Sequence, residues 1–102
     1  MVIAEVSVIP IGTKTPSVSK YITRATEVLR LEKDVNYELT AMGTLIEGEL
    51  ENVLRVISKM HNSLFNQEVK RVITTIKIDD RRDKKLTMDY KVGSVMKRIK
   101  DK

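Results

Sequence analysis

The period of the apolar residues changes repeatedly along this chain, and the order of the changes leaves few folds open. In VIAEVSVIP (2–10), Val2, Ala4, Val6 and Val8 alternate with Ile3, Glu5, Ser7 and Ile9, as in a strand that ends at a proline. IGTKTPS (11–17) is turn-rich, and Thr15 or Ser17 can cap the helix expected next. In SVSKYITRATEVLRLEK the apolar residues move to helical spacing at Val18, Ile22, Ala25 and Leu29, widened by Tyr21, Val28 and Leu31. VNYELTAMGTLIEGEL (35–50) returns to period two and is long for one strand. Met42-Gly43 is the expected turn, between strands at about 35–41 and 44–48, because glycine enters positive φ without penalty. ELENVLRVISKMHNSLFNQ is helical again, with Leu50, Val53, Leu54, Ile57, Met60, His61 and Leu64 on one stripe. Glu49 and Glu51 stand at its start, where the helix dipole favours them. VKRVITTIKI (69–78) reads as a fourth strand. LTMDYKVGSVMKRIK (86–100) reads as a third helix, with Met88, Val92, Val95 and Ile99 on one side.

Strand, helix, strand, strand, helix, strand is the split βαβ order. It predicts an α+β, ferredoxin-like βαββαβ sandwich with antiparallel sheet order 4-1-3-2, plus a C-terminal helix. Right-handed crossovers put the first two helices on one sheet face. The 102 residues suit a single domain over 1–102 whose modest core would gain from oligomer formation. The helix-free face should carry Ile3, Glu5, Ser7, Ile9, Glu38, Thr40, Met42, Leu45, Glu47, Ile73, Thr75 and Lys77. A face meant only for water would be more uniformly polar. This mixture suits a partner subunit with a polar pocket left at the seam, or else a plain oligomer interface with satisfied salt bridges.

Much chemistry is excluded by composition. There is no cysteine, which removes disulfides and thiol catalysis. The lone His61 sits in an apolar stripe and reads as a packed or capping residue. No second histidine is available for a transition metal, no glycine-rich phosphate cradle occurs, and no nucleophile–base set is visible. The expectation is therefore no enzyme, no metal and no cofactor. No run of about 18 apolar residues occurs, so no membrane partner is expected and the cytoplasm is the default location. Of the net charge of +5, residues 1–78 contribute +1 and residues 79–102 contribute +4. A basic tail can meet nucleic acid or an anionic membrane, or it can be an ordinary surface helix. Reading of RNA by a ferredoxin-like sheet needs aromatics on the central strands. The chain's aromatics are Tyr21, Tyr37, Phe65 and Tyr90, none of them on strands one and three, so no nucleic-acid partner is expected. KIDDRRD (77–83) holds three charges of each sign. Lys77 closes the fourth strand on the open face. The residues after it are expected to leave the sheet as a charge-paired corner that fixes the third helix and contacts another subunit. A phosphate or sulfate site at Arg81 and Arg82 is the alternative.

AEVSVIPIGT, YELTAMGTLIEGEL, KMH and VITTIKIDDRRD, in this order over residues 2 to about 99, resemble the small thiamine-binding protein family, related to the YkoF-type thiamine-binding domains. MGTLIEG (42–48) and KIDDRRD are the specific parts. The resemblance implies a ferredoxin-like fold, subunits that join through their sheets into dimers and then tetramers, and binding without catalysis of thiamine or its hydroxymethylpyrimidine moiety. In such a pocket Glu47 would accept from the ring amine or hold a protonated ring nitrogen, and Ser7, Thr44 and Thr75 would supply hydroxyls. Met42, Ile3 and Ile73 would form walls, Glu5 or Glu38 would face the thiazolium, and Lys77 would reach the pocket or a partner subunit. Gly43 and Gly48 would let the backbone approach. The competing function is a regulatory or structural oligomer with no small ligand, or with a different ligand or anion. A third, an RNA- or membrane-surface binder using the tail, predicts salt-sensitive association.

Overall fold

The computed structural model of the protein describes residues 1–14, 18–84 and 87–100. In chain order its elements are β1 (Val2–Ile11), α1 (Ser19–Arg30), β2 (Val35–Leu39), β3 (Thr44–Gly48), α2 (Leu50–Ser63), β4 (Arg71–Asp80) and α3 (Met88–Lys100). The four strands form one antiparallel sheet in the order β2-β3-β1-β4, which is the expected α+β architecture. Thr15 and Ser17, the expected helix caps, and Leu86, at the expected start of the third helix, lie outside the described residues.

The alternation in β1 sorts the two faces. Val2, Ala4, Val6 and Val8 are buried, and Ile46 of β3 joins them from the neighbouring strand. Tyr21, Ala25 and Leu29 of α1 and Val53, Val56, Ile57 and Met60 of α2 close over this face. Burial of each such large aliphatic side chain contributes about 1.5–3 kcal/mol, which is what seats the two helices. Ile22 and Val18, expected in the α1 stripe, stay more than a third exposed at the helix start. His61 is packed at the α2–β4 seam: its Nδ1 meets Thr74 Oγ1 at 2.6 Å and its ring stands edge-on to Phe65.

The hairpin differs from expectation in its turn. β2 ends at Leu39, and Thr40 builds the connection: its hydroxyl accepts from the backbone N–H of Met42 and Gly43 and its own N–H donates to the Gly43 carbonyl. Gly43 does not have positive φ. It is required instead by proximity, because a Cβ there would sit 2.9 Å from the Val6 carbonyl oxygen. β4 also runs two residues past the expected end. Asp79 and Asp80 pair with Ile3 and Val2, so they belong to the sheet, and the charged corner begins only at Arg81.

Candidate ligand cavities

The open face carries the odd-numbered residues of β1 with their cross-strand neighbours. Ile3 lies between Glu47 and Asp79, Glu5 between Leu45 and Lys77, and Ser7 beside Thr75. α3 roofs one end of this face by its first turn. The Glu47 carboxylate accepts from the Met88 N–H at 2.8 Å with one oxygen and from Asn36 Nδ2 at 3.1 Å with the other. A carboxylate at the first turn satisfies a backbone donor the helix cannot satisfy itself and meets the positive end of its dipole. The Thr87 hydroxyl accepts from the Tyr90 N–H, and the Lys91 ammonium pairs with Asp79.

Under this roof lies a cavity of about 220 Å³. Ile3, Leu45, Met88 and Val92 give it apolar walls, and Glu5, Glu38, Asp79, Lys77 and Lys91 give it charge. Asp79 is paired with Lys91, and Glu5 stands across the strand from Lys77. Glu38 is then the carboxylate left over. The lining carboxylates of this cavity outnumber its ammonium groups by one.

A second cavity, of about 280 Å³, opens on the opposite side, where β1 runs on beyond the hairpin under the start of α1. Ser7, Met42, Gly43 and Thr44 border it. The residues singled out in the sequence thus fall into groups. Glu5 and Lys77 line the open-face cavity, and Glu47 holds its roof. Ser7, Met42, Gly43 and Thr44 border the other cavity, with Thr44 buried on the helix-bearing side. Thr75 is exposed on the open face between the two.

Arg81 and Arg82 form a third group, beside the chain's N-terminus. Arg81 bonds Asp83 and Arg82 bonds Asp80. The Arg82 guanidinium holds the Asp80 carboxyl below the usual range, and Arg81 does the same to Asp83. Each guanidinium thus has a local carboxylate partner.

Sequence reasoning did not find Lys91 or the role of Asp79 at the roof, although Lys91 three residues after Met88 was a readable signal for a shared helix side. It also did not find that β1, ten residues long beside a five-residue β3, must overhang its neighbour.

An antiparallel βαββαβ sheet in the order β2-β3-β1-β4 defines the class of small ferredoxin-like proteins. The model of one family in that class, described as thiamine-binding protein, matches residues 4–96, and the chain belongs to this family. It is 48% identical to UPF0045 protein YqgV of Bacillus subtilis, over 97% of this chain and 98% of that protein. It is 43% identical to UPF0045 protein MJ1052 of Methanocaldococcus jannaschii, over 92% of this chain and 91% of that protein. The crystal structure of MJ1052 superposes with a TM-score of 0.84, covering 92% of this chain and 94% of that one. A Thermotoga maritima protein, TM0486, shares the fold at a TM-score of 0.75 and 24% identity, over 92% of this chain and 97% of its own. Among the described residues no helix is long and apolar enough to cross a membrane.

Proposed function

We propose that this chain is a non-enzymatic binding protein for thiamine or its hydroxymethylpyrimidine moiety, working as a cytoplasmic homo-oligomer, and that the open-face cavity takes the cationic thiamine. The observation that carries the reading is the charge count of that cavity. Three carboxylates, Glu5, Glu38 and Asp79, face two ammonium groups, Lys77 and Lys91. The surplus of one negative charge, in a protein of net charge +5, complements a single thiazolium. Ile3, Leu45 and Met88 supply the flat apolar walls an aromatic cation needs. Glu47 contributes by holding the roof, and Thr75 and Ser7 extend the polar floor.

The oligomer is supported by what the protomer leaves uncovered. No residue of α3 is buried, and Ile9 and Ile73 remain 47% and 44% exposed on the open face. A second copy laid over this face would cover both and close the cavity. The same exposure favours the rival reading, a structural oligomer with no small ligand, in which the seam is dry.

Isothermal titration of the purified protein with thiamine decides between them. Saturable heat that weakens at least about tenfold in Glu38→Gln, the cost of losing one charge-assisted contact, supports the reading. Absence of heat at millimolar thiamine sinks it and leaves the dry oligomer.

A further inference from the structure

We propose that α3 is a docking helix for an anionic lipid surface: its exposed apolar stripe enters the bilayer interface, and Arg98 and Lys100 hold it there by their charges. The inference goes beyond the ligand reading and does not depend on it. It concerns contact with a membrane surface and not a span, since among the described residues no helix is long and apolar enough to cross a membrane.

The sequence of α3 sorts its residues by side. Val92, Val95, Met96 and Ile99 follow the i, i+3, i+4, i+7 spacing of one stripe. Each is between 49% and 63% exposed, and no residue of α3 is buried. Arg98 stands three residues after Val95, and Lys100 stands four after Met96, so one cation borders each side of the stripe. Lys97, seven residues after Tyr90, shares the far side of the helix with it. Long basic side chains at a stripe's borders lay their stems along apolar surface and keep the charge in the polar layer. The described hydrogen bonds of α3 to the sheet lie near its first turn, so they leave the stripe uncommitted.

Charge identifies the surface that covers the stripe. Over Met88–Lys100 the chain sets Lys91, Lys97, Arg98 and Lys100 against Asp89 alone. Lys91 is paired with Asp79. Among the described residues Lys97, Arg98 and Lys100 form no ion pair. A second α3 laid on the stripe would bring the same cations and no carboxylate but Asp89. A nucleic acid would meet the cations but leave Val95, Met96 and Ile99 in water, and Tyr90 lies on the wrong side to add a stacked base beside them. An anionic bilayer takes both features at once. Its acyl–headgroup boundary covers the apolar side chains, and its headgroups meet Arg98 and Lys100.

The test is co-sedimentation of the full chain with vesicles of phosphatidylglycerol and phosphatidylcholine in equal parts, and with vesicles of phosphatidylcholine alone. Binding to the mixed vesicles, weakened by salt and absent on the neutral ones, is expected. Arg98→Gln and Lys100→Gln should each weaken it about fivefold, the worth of one basic residue at an anionic surface. Lys97→Gln, on the far side, should cost less than either. Val95→Ser combined with Ile99→Ser should weaken binding at least about tenfold, with the far-ultraviolet circular dichroism of the wild type. The proposal is overturned if the mixed vesicles leave the protein in solution, or if neutral vesicles bind it equally well. It is also overturned if the three cation variants lose binding equally while the serine variant loses none, because that is unoriented adsorption of a basic protein. Two further results overturn it in favour of another partner. One is a serine variant that breaks the protein's own assembly in sedimentation velocity while vesicles go unbound, which assigns the stripe to a second copy. The other is salt-sensitive binding of polyuridylate, without vesicle binding, that Arg98→Gln weakens and the serine variant does not, which assigns the cations to RNA.

Discussion

α2 and α3 are built alike and end differently. They span 14 and 13 residues, and each carries an apolar stripe at helical spacing. α2 buries its stripe against the sheet through Val53, Val56, Ile57 and Met60, while α3 buries none of its residues. The connections explain the contrast. α2 is flanked by β3 and β4, so the sheet fixes both its ends. α3 follows the last strand, and among the described residues its hydrogen bonds to the sheet lie near its first turn, from the Met88 N–H to Glu47 and from Lys91 to Asp79. An amphipathic stripe states that a helix wants cover; it does not state whose surface provides it.

One residue type occurs on both helices and makes the contrast measurable. Met60 of α2 is 1% exposed and Met96 of α3 is 49% exposed. Met60→Ala is expected to lower unfolding stability by about 2–5 kcal/mol, the range for a large side chain removed from a core. Met96→Ala is expected to change the protomer's own stability by less than about 0.5 kcal/mol. Urea titrations at several protein concentrations check both. A large cost at Met96 that grows with protein concentration would show that a second copy covers α3 and that the two helices are equally buried in the assembly. A large cost independent of concentration would mean that α3 folds back on its own protomer.

The same contrast marks the limit of what the sequence disclosed. Period-two and period-3.6 patterning was sufficient for element order and sheet order, because burial on one face imposes the pattern directly. It also separated Ala4 from Glu5 and Ile46 from Glu47 by face. Where an element's bounds depend on a neighbour, the pattern was silent. Asp79 and Asp80 look like corner residues from their charge, yet β1 reaches back to Val2 and pairs them. Gly43 looked like a positive-φ turn, and its reason is the nearby Val6 carbonyl, a contact between residues far apart in the chain. Among the site residues, membership of MGTLIEG suggested that Thr44 and Glu47 would share one pocket. Three residues apart on a strand, they point to opposite faces, so the structure sends them to different tasks.

Glu47 offers the second test of the contrast, with a smaller effect. Glu47→Ala removes the acceptor for the Met88 N–H and for Asn36. Loss of a helix cap costs about 0.5–2 kcal/mol. The loss should appear locally, as faster amide exchange in the first turn of α3 with α1 and α2 unchanged. Exchange that accelerates equally in all three helices would mean that α3 is part of the main cooperative unit and not a helix held from one end.

The smallest effect lies in the charged connection into α3. Asp83 accepts from Arg81 at 2.7 Å, and the ion pair holds its carboxyl below the ordinary value. Its folded pKa is thus lower than its unfolded one. The stability it contributes is fully present above the unfolded value, about pH 4, and is lost as pH falls through the lower, folded value. Asp80, depressed by Arg82, behaves in the same sense. Glu32, bonded by Lys59 and Arg55 on the α2 side, does so as well. Because the Arg81–Asp83 pair is exposed, the effect should be slight and should shrink with salt. Melting temperatures of the wild type and Asp83→Asn should differ a little at pH 7 and converge as the pH drops below about 4. A gap of unchanged size at the acid end would show that Asp83 acts through its shape at the corner and not through its charge. The entry to α3 would then be set by backbone geometry, and Glu47 would be the anchor that matters.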